Sequence, residues 1–310
     1  MSMTFPVRAA ALVLLAAGTV TAFAAGAAAQ TSAYWKPVQD ALGQKGTVNP
    51  NGVLKFSFPR SDLTVVVDGV TLKPALALGS WVAFKRGIGD AVMMMGDLVL
   101  LEDEVGPVMV SLQENGVEQT ALHNHLLNES PRVMYMHIKA IGNPSRIAKA
   151  IRMALEASAT PLGPPIKTAA TTAAAMIAVP NDLDTAAIAR IIGVRGRTNG
   201  GVYQVSIPRR EKILEDKKEI PSSMGLATAI NFQPTGAGKA AVTGDFVLIA
   251  REVNQVIWAL SENGIAVTAI HSHMLVEQPR LFFMHFWAID DAAKLAQGLR
   301  AALDRTRRRR

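Results

Sequence analysis

The 310 residues contain six histidines, His123, His125 and His137, then His271, His273 and His285. Each member of the second set lies 148 positions after its counterpart, 271 against 123. The surrounding segments are ALHNHLLNESPRVMYMH (121–137) and AIHSHMLVEQPRLFFMH (269–285). Imidazole is the commonest metal-binding side chain and the one that titrates nearest neutrality. In an extended strand, residues two apart share a face, so His123 projects with His125 and His271 with His273. A hairpin symmetric about Pro131 sets His137 opposite His125, and one symmetric about Pro279 sets His285 opposite His273. Side chains paired in this way stand about 4.5–5.5 Å apart.

Three imidazoles on one patch suit Zn²⁺ or Cu²⁺, with a fourth position open to water or substrate. Glu129 and Glu277 occupy matching loop positions. They are candidates for a ligand, an acceptor for a ligand's ring N–H, or a general base. Two other readings of the histidines stay open: a metal-free ligand or acid–base site, and a structural hydrogen-bond network. Asp97 and Asp245 read as residues tying down a turn. Glu104 and Glu252 read as helix N-terminal charges, which the helix dipole favours. Lys139, placed opposite His123, reads as a charge that weakens the first cluster. The methionines of VMMM (92–95) and VMYM (133–136) read as core filling rather than thioether ligands. The sequence lacks GxSxG, GxxxxGK[ST], HExxH and CxxC, and it has no cysteine.

The histidines sit within a longer duplication. GVLKFSFPR (52–60) returns as GVYQVSIPR (201–209), GDLVLLEDEV (96–105) as GDFVLIAREV (244–253), and SLQENGVEQTALHNH (111–125) as ALSENGIAVTAIHSH (259–273). Two long copies predict a pseudo-twofold pair rather than a solenoid. Each copy reads as strands near 55–58, 80–86 and 92–101, a helix over 104–116, strands over 117–127 and 131–142, and a helix from 147 to 158. The fold class is therefore α+β: two tandem pseudo-symmetric repeats, each a mostly antiparallel, ferredoxin-like sheet of four strands with two helices.

The expected organisation is a signal peptide at 1–29, repeat 1 at 34–158, a linker at 159–180, repeat 2 at 181–304 and a basic tail at 305–310. Arg8, the apolar run from Ala9 to Ala25 and Ala27-Ala28-Ala29 form the n-region, h-region and small-residue cleavage site of an exported chain. The linker carries Pro161, Pro164 and Pro165 followed by an Ala/Thr run. The formal charge is +7, but Arg8, Arg305 and Arg307–Arg310 supply most of it. A near-neutral body gives no electrostatic case for nucleic acid, and no later run is apolar enough to span a bilayer.

The pattern GD-x-VL…EV…NGI-x-VTA-x-H-x-H…E-x-PR…MH (244–285) resembles the LppY/LpqO family of exported bacterial proteins. The resemblance covers both halves. It implies export and a repeat architecture but no particular reaction. A lipid-modified cysteine is absent here, which points to free periplasmic or secreted residence. The expected function is an exported protein that binds zinc or copper through the duplicated clusters. The alternatives are a metal-dependent or His-based hydrolase of a small periplasmic substrate, with Glu277 or Glu129 as base, and a metal-free ligand or partner module.

Overall fold

Chain order in the first half explains its layers. A helix at 33–42 (α1) leads into β1 (Thr47–Val48), β2 (Leu54–Pro59), the short strands β3 (Val66–Val67) and β4 (Val70–Thr71), β5 (Gly79–Arg86) and β6 (Val92–Leu101). Helix α2 (Glu102–Glu114), β7 (Glu118–His123), β8 (Val133–Gly142) and α3 (Pro144–Glu156) complete the half. The second half repeats it as α4 (Thr185–Ile192), β9 (Arg197–Asn199), β10 (Val202–Pro208), β11 (Ile213–Glu215), β12 (Lys218–Ile220), β13 (Ala227–Gly236), β14 (Lys239–Ile249), α5 (Ala250–Glu262), β15 (Ala266–His271), β16 (Leu281–Asp291) and α6 (Ala292–Leu303). This computed structural model describes residues 33–87, 89–163 and 182–306. The expected signal peptide, most of the expected linker and the last four arginines lie outside them.

Each half forms a six-stranded antiparallel sheet, ordered β1-β2-β5-β6-β8-β7 in the first half and β15-β16-β14-β13-β10-β9 in the second. Both sheets have six strands where four were expected, because the segments at 47–59 and 197–208 pair onto the edge of the core. The segment TVVVDGV (64–70), whose β-branched run reads as a strand in the sequence, does not run straight. Asp68 and Gly69 both take positive φ, 46° and 80°, so β3 and β4 fold as a tight hairpin arm. Asp216 and Lys217, at 50° and 63°, turn β11 into β12 in the same way.

Strand β6 is buried along nearly its whole length because both faces are covered. On one face Met94, Leu98 and Leu100 pack with Met136 against α1, α2 and α3. On the other, Met93 and Met95 meet Val247, Ile249 and Phe283 of the second sheet. Val99 and Tyr135 likewise meet Ala241 and Trp287. The architecture is thus helices, sheet, sheet, helices, with the two sheets face to face. No described helix is long and apolar enough to cross a membrane.

The helix starts are specified locally. Glu104 accepts the Leu101 N–H and Glu252 the Ile249 N–H, closing one cap in each half. The same carboxylates grip buried arginines: Arg60 donates to Glu104 at 2.6 Å and Arg209 to Glu252 at 2.7 Å. Each arginine also donates to a carbonyl of the preceding strand, Val99 or Val247. These acids therefore bind the first turn of α2 or α5 to the end of β2 or β10. Asn143, Asp184 and Asp291 cap α3, α4 and α6.

Candidate metal centre

The hairpins differ in register from the symmetric pairing about proline. His137 lies opposite Ala121, and His123 opposite Tyr135. In the second half, His285 lies opposite Ala269 and His271 opposite Phe283. The cause is a long return loop together with a bulge between Gln119 and Ala121, repeated between Val267 and Ala269. His125 and His273 follow the ends of their strands. Lys139 is not opposite His123 either: it pairs with Glu118. Its ammonium ion-pairs with Glu215 at 3.1 Å and Asp216 at 2.8 Å on the hairpin arm of the other half. Burial opposes that charge, but the two carboxylates outweigh it and raise the lysine's pKa.

Despite the shifted register, the histidines converge, and all six form one cluster between the sheets. His123 stacks on its own counterpart His271, with ring centroids 3.5 Å apart. His125 stacks on His285 at 3.7 Å, and His137 on His273 at 3.5 Å, two contacts that are each other's symmetry equivalents. The pseudo-twofold axis therefore passes between His123 and His271, and the contact is isologous. Tyr135 backs the His125 ring and Phe283 backs His273, at 3.3 and 3.6 Å.

The bulged threonines lock this arrangement. Thr120 donates to the His273 carbonyl at 2.7 Å, and Thr268 to the His125 carbonyl at 2.6 Å. The arms add a second clasp per half. Trp287, the counterpart of Lys139, donates its indole N–H to Asp68 at 2.9 Å, as Lys139 does to Asp216.

Within the cluster, Nε2 of every histidine is buried and has no hydrogen-bond partner. His285 Nδ1 lies 2.9 Å from the Gly244 carbonyl, and His123 Nδ1 lies 3.1 Å from the Asn124 carbonyl. A carbonyl only accepts, so in these rings Nδ1 holds the proton and Nε2 keeps its lone pair. Metal-ligating histidines are held in the same way. Burial drives the pKa of every imidazole down, to about 4 for His123 and about 3 for His271, and well below the ordinary value for the other four. The rings are neutral at neutral pH, the form that ligates a cation.

Two carboxylates join them. Asp97 sits directly across from His137 on the neighbouring strand, and Asp245 across from His285. Asp97 Oδ1 is 3.9 Å from His137 Nε2. Both Oδ1 atoms are buried without a hydrogen-bond partner. Desolvation raises Asp97 to about 7 against the pull of Lys55, and raises Asp245 well above the usual carboxylate range. These residues sit within strands, not turns. The signal for them was present in the sequence: an ionisable residue inside the otherwise apolar runs VMMMGDLVLL and AVTGDFVLI is one that burial must explain.

Glu129 and Glu277 hold the return loops. Glu129 Oε1 accepts the Val133 N–H and Glu277 Oε1 the Leu281 N–H. The second oxygen of each is buried and has no hydrogen-bond partner. Arg280 donates to the Met274 and Leu275 carbonyls of the same loop. Met94 and Met136 face the helices, away from the imidazoles. Met95, Met224 and Met274, with His137 and His273, line a narrow crevice beside the cluster.

Three groups have ligand atoms within 4.8 Å of one another: His123, His125 and His137; Asp245, His273 and His285; and His123, His271 and His273. Fold and cluster together define a two-repeat α+β protein whose histidine groups are close enough to hold a metal. The chain belongs to the family described as Domain of Unknown Function (DUF1259), whose model matches residues 36–157 and again 186–305. A search of the curated proteins finds no match. Among solved structures, the chain is similar to a trimeric bacterial microcompartment shell protein, PduB, at 11% identity over 84% of this chain and 90% of that one, with a TM-score of 0.21. EtuB from Clostridium kluyveri matches at 9% identity over 83% and 90%, with a TM-score of 0.19. Likeness at that level carries no argument about fold or function.

Proposed function

We propose that this protein is an exported transition-metal binder whose zinc or copper centre is built jointly by the two repeats. One observation carries the reading: six neutral imidazoles bring Nε2 into a buried cluster and leave it unpaired there. Burying a polar atom without a partner costs about 1–3 kcal/mol. A structural network of histidines would satisfy those atoms internally. A bound cation satisfies several of them at once. Nδ1 donation to a backbone carbonyl in His123 and His285 supports the reading, since it leaves the ligating nitrogen free. Export rests on the leader-like segment at 1–29 and on the resemblance to the LppY/LpqO family.

The test is elemental analysis of the purified, untagged protein beside the His271→Ala/His273→Ala variant, each after incubation with zinc or copper and desalting. The expected result is stoichiometric metal in the parent and a clear loss in the variant. No metal in the parent after loading sinks the proposal.

A further inference from the structure

The sequence points to two histidine clusters and the fold merges them into one, which raises the question of how many ions the merged cluster takes. We infer that the centre is dinuclear, holding two divalent transition-metal ions in two ligand sets that share no residue. This rests on the metal-binding reading above and extends it.

The first set is His123, His125 and His137, and the second is Asp245, His273 and His285. Within each set, the three ligand atoms lie within 4.8 Å of one another, so both sets can close on an ion at the same time. A count of ligands agrees. Six imidazoles and two aspartates meet at the axis, whereas one zinc or copper ion takes about four such ligands. A single ion would leave about half of the cluster buried and unpaired, at the cost per atom already given. Two ions take seven of the eight groups, six in the two sets and His271 adjoining the second, where its ring centroid is 4.9 Å from both His273 and His285. The sets interleave, because His125 stacks on His285 and His137 on His273 at 3.7 and 3.5 Å. The ions are therefore neighbours across the axis, as in two-metal sites.

The two sets are not chemically identical, and the structure gives a reason. Asp97 is the counterpart of Asp245, but it feels the charge of the half-buried Lys55 ammonium. A cation already compensates Asp97 in part. The residue matching Lys55 is Gln204, which is uncharged and donates to the Ala75 carbonyl. Asp245 therefore has no such competitor among its electrostatic neighbours, and it joins the second set as a full ligand.

The test is a zinc titration with elemental analysis of the desalted protein, run on the parent, His125→Ala and His285→Ala. A parallel Cu²⁺ titration is followed by electron paramagnetic resonance. The expected result is two ions per chain in the parent and one in each variant, a twofold drop. The Cu²⁺ signal should grow up to one equivalent, then broaden or fall at two as neighbouring spins couple. Saturation of the parent at one ion, with an isolated Cu²⁺ spectrum, overturns the dinuclear centre and leaves metal binding standing. No ion at all overturns both. The resonance measurement uses only the parent protein, so it decides the question even if a variant fails to fold.

Discussion

The Thr120 hydroxyl donates to the His273 carbonyl at 2.7 Å, a hydrogen bond from a bulge in one repeat to the histidine loop of the other. Thr268 returns the bond to His125 at 2.6 Å. The feature that breaks each hairpin's regular register is thus also what fastens the opposite half of the histidine cluster. Replacing either threonine by valine keeps the shape and removes the donor. Each change should destabilise the protein by about 1–3 kcal/mol, and it should weaken zinc binding because His125 and His273 follow their carbonyls. Chemical denaturation and a competitive zinc titration check this. Unchanged affinity in both variants would mean that the bulges do not position the ligands.

Acid should loosen the metal-free protein. All six histidines have folded-state pKa values below the unfolded value of about 6.5, so their contribution is full above that pH. It is lost as pH falls toward about 4 for His123 and about 3 for His271. Asp97 and Glu129, raised to about 7, work in the opposite sense: their contribution is present at low pH and lost as pH rises through 7. Asp245 and Glu215 shift the same way. Near pH 5 the six histidines outnumber the four carboxyls, so the unfolded chain binds more protons than the folded one. The denaturation midpoint of chelator-treated protein should fall between about pH 6 and pH 4, where the unfolded histidines are charged and the folded ones are not, and a midpoint that holds or rises contradicts the assignment. Protons also compete with metal for the imidazoles, so bound metal should be released over the same range.

Glu252 offers a way to separate stability from metal binding. It caps α5 and holds Arg209, which is buried. Changing it to glutamine leaves a buried guanidinium with its main partner neutralised, a loss of about 3–5 kcal/mol. Its bonds to Arg209 and to the Ile249 N–H lie at the start of α5, so the folded fraction should retain full zinc stoichiometry. Thermal melting and elemental analysis of the same sample read the two effects independently.

The glycine before each buried aspartate is fixed by space. A Cβ on Gly244 would stand 1.9 Å from the Ala229 carbonyl oxygen, and one on Gly96 would stand 2.8 Å from the Trp81 carbonyl oxygen. Gly244 is also the carbonyl that orients His285. Gly244→Ala should therefore be much more damaging than Gly106→Ala, an exposed helical site where a Cβ meets nothing within 4 Å. Soluble yield and melting temperature of the two variants test this ordering.

Much of the design is legible in the sequence because it is written twice. The repeat, the α+β class and the two helices read over 104–116 and 147–158 follow from local patterns. The shared face of His123, His125 and His137 follows from strand parity. Register was harder to read, because a bulge at Thr120 or Thr268 carries no distinctive residue type and a nine-residue return loop admits several closures. That the two sets of histidines meet is a tertiary fact, decided by which sheet face the helices leave open. Asp97 was visible but misplaced: its burial makes sense only once His137 is known to lie opposite it.

The axis between His123 and His271 also bears on how the two halves can differ. A single repeat presents half a cluster and one clasping arm, so one repeat alone would need a second copy to complete either. In such a homodimer, every change at one position would be imposed on both subunits. Two copies in one chain are free of that constraint. Lys139 now stands where the other half has Trp287, Lys55 where it has Gln204, and Tyr135 where it has Phe283. Both clasps still close on an arm aspartate, one through an ammonium and one through an indole. Carrying both copies in one chain lets the two sides differ while they keep a shared interior.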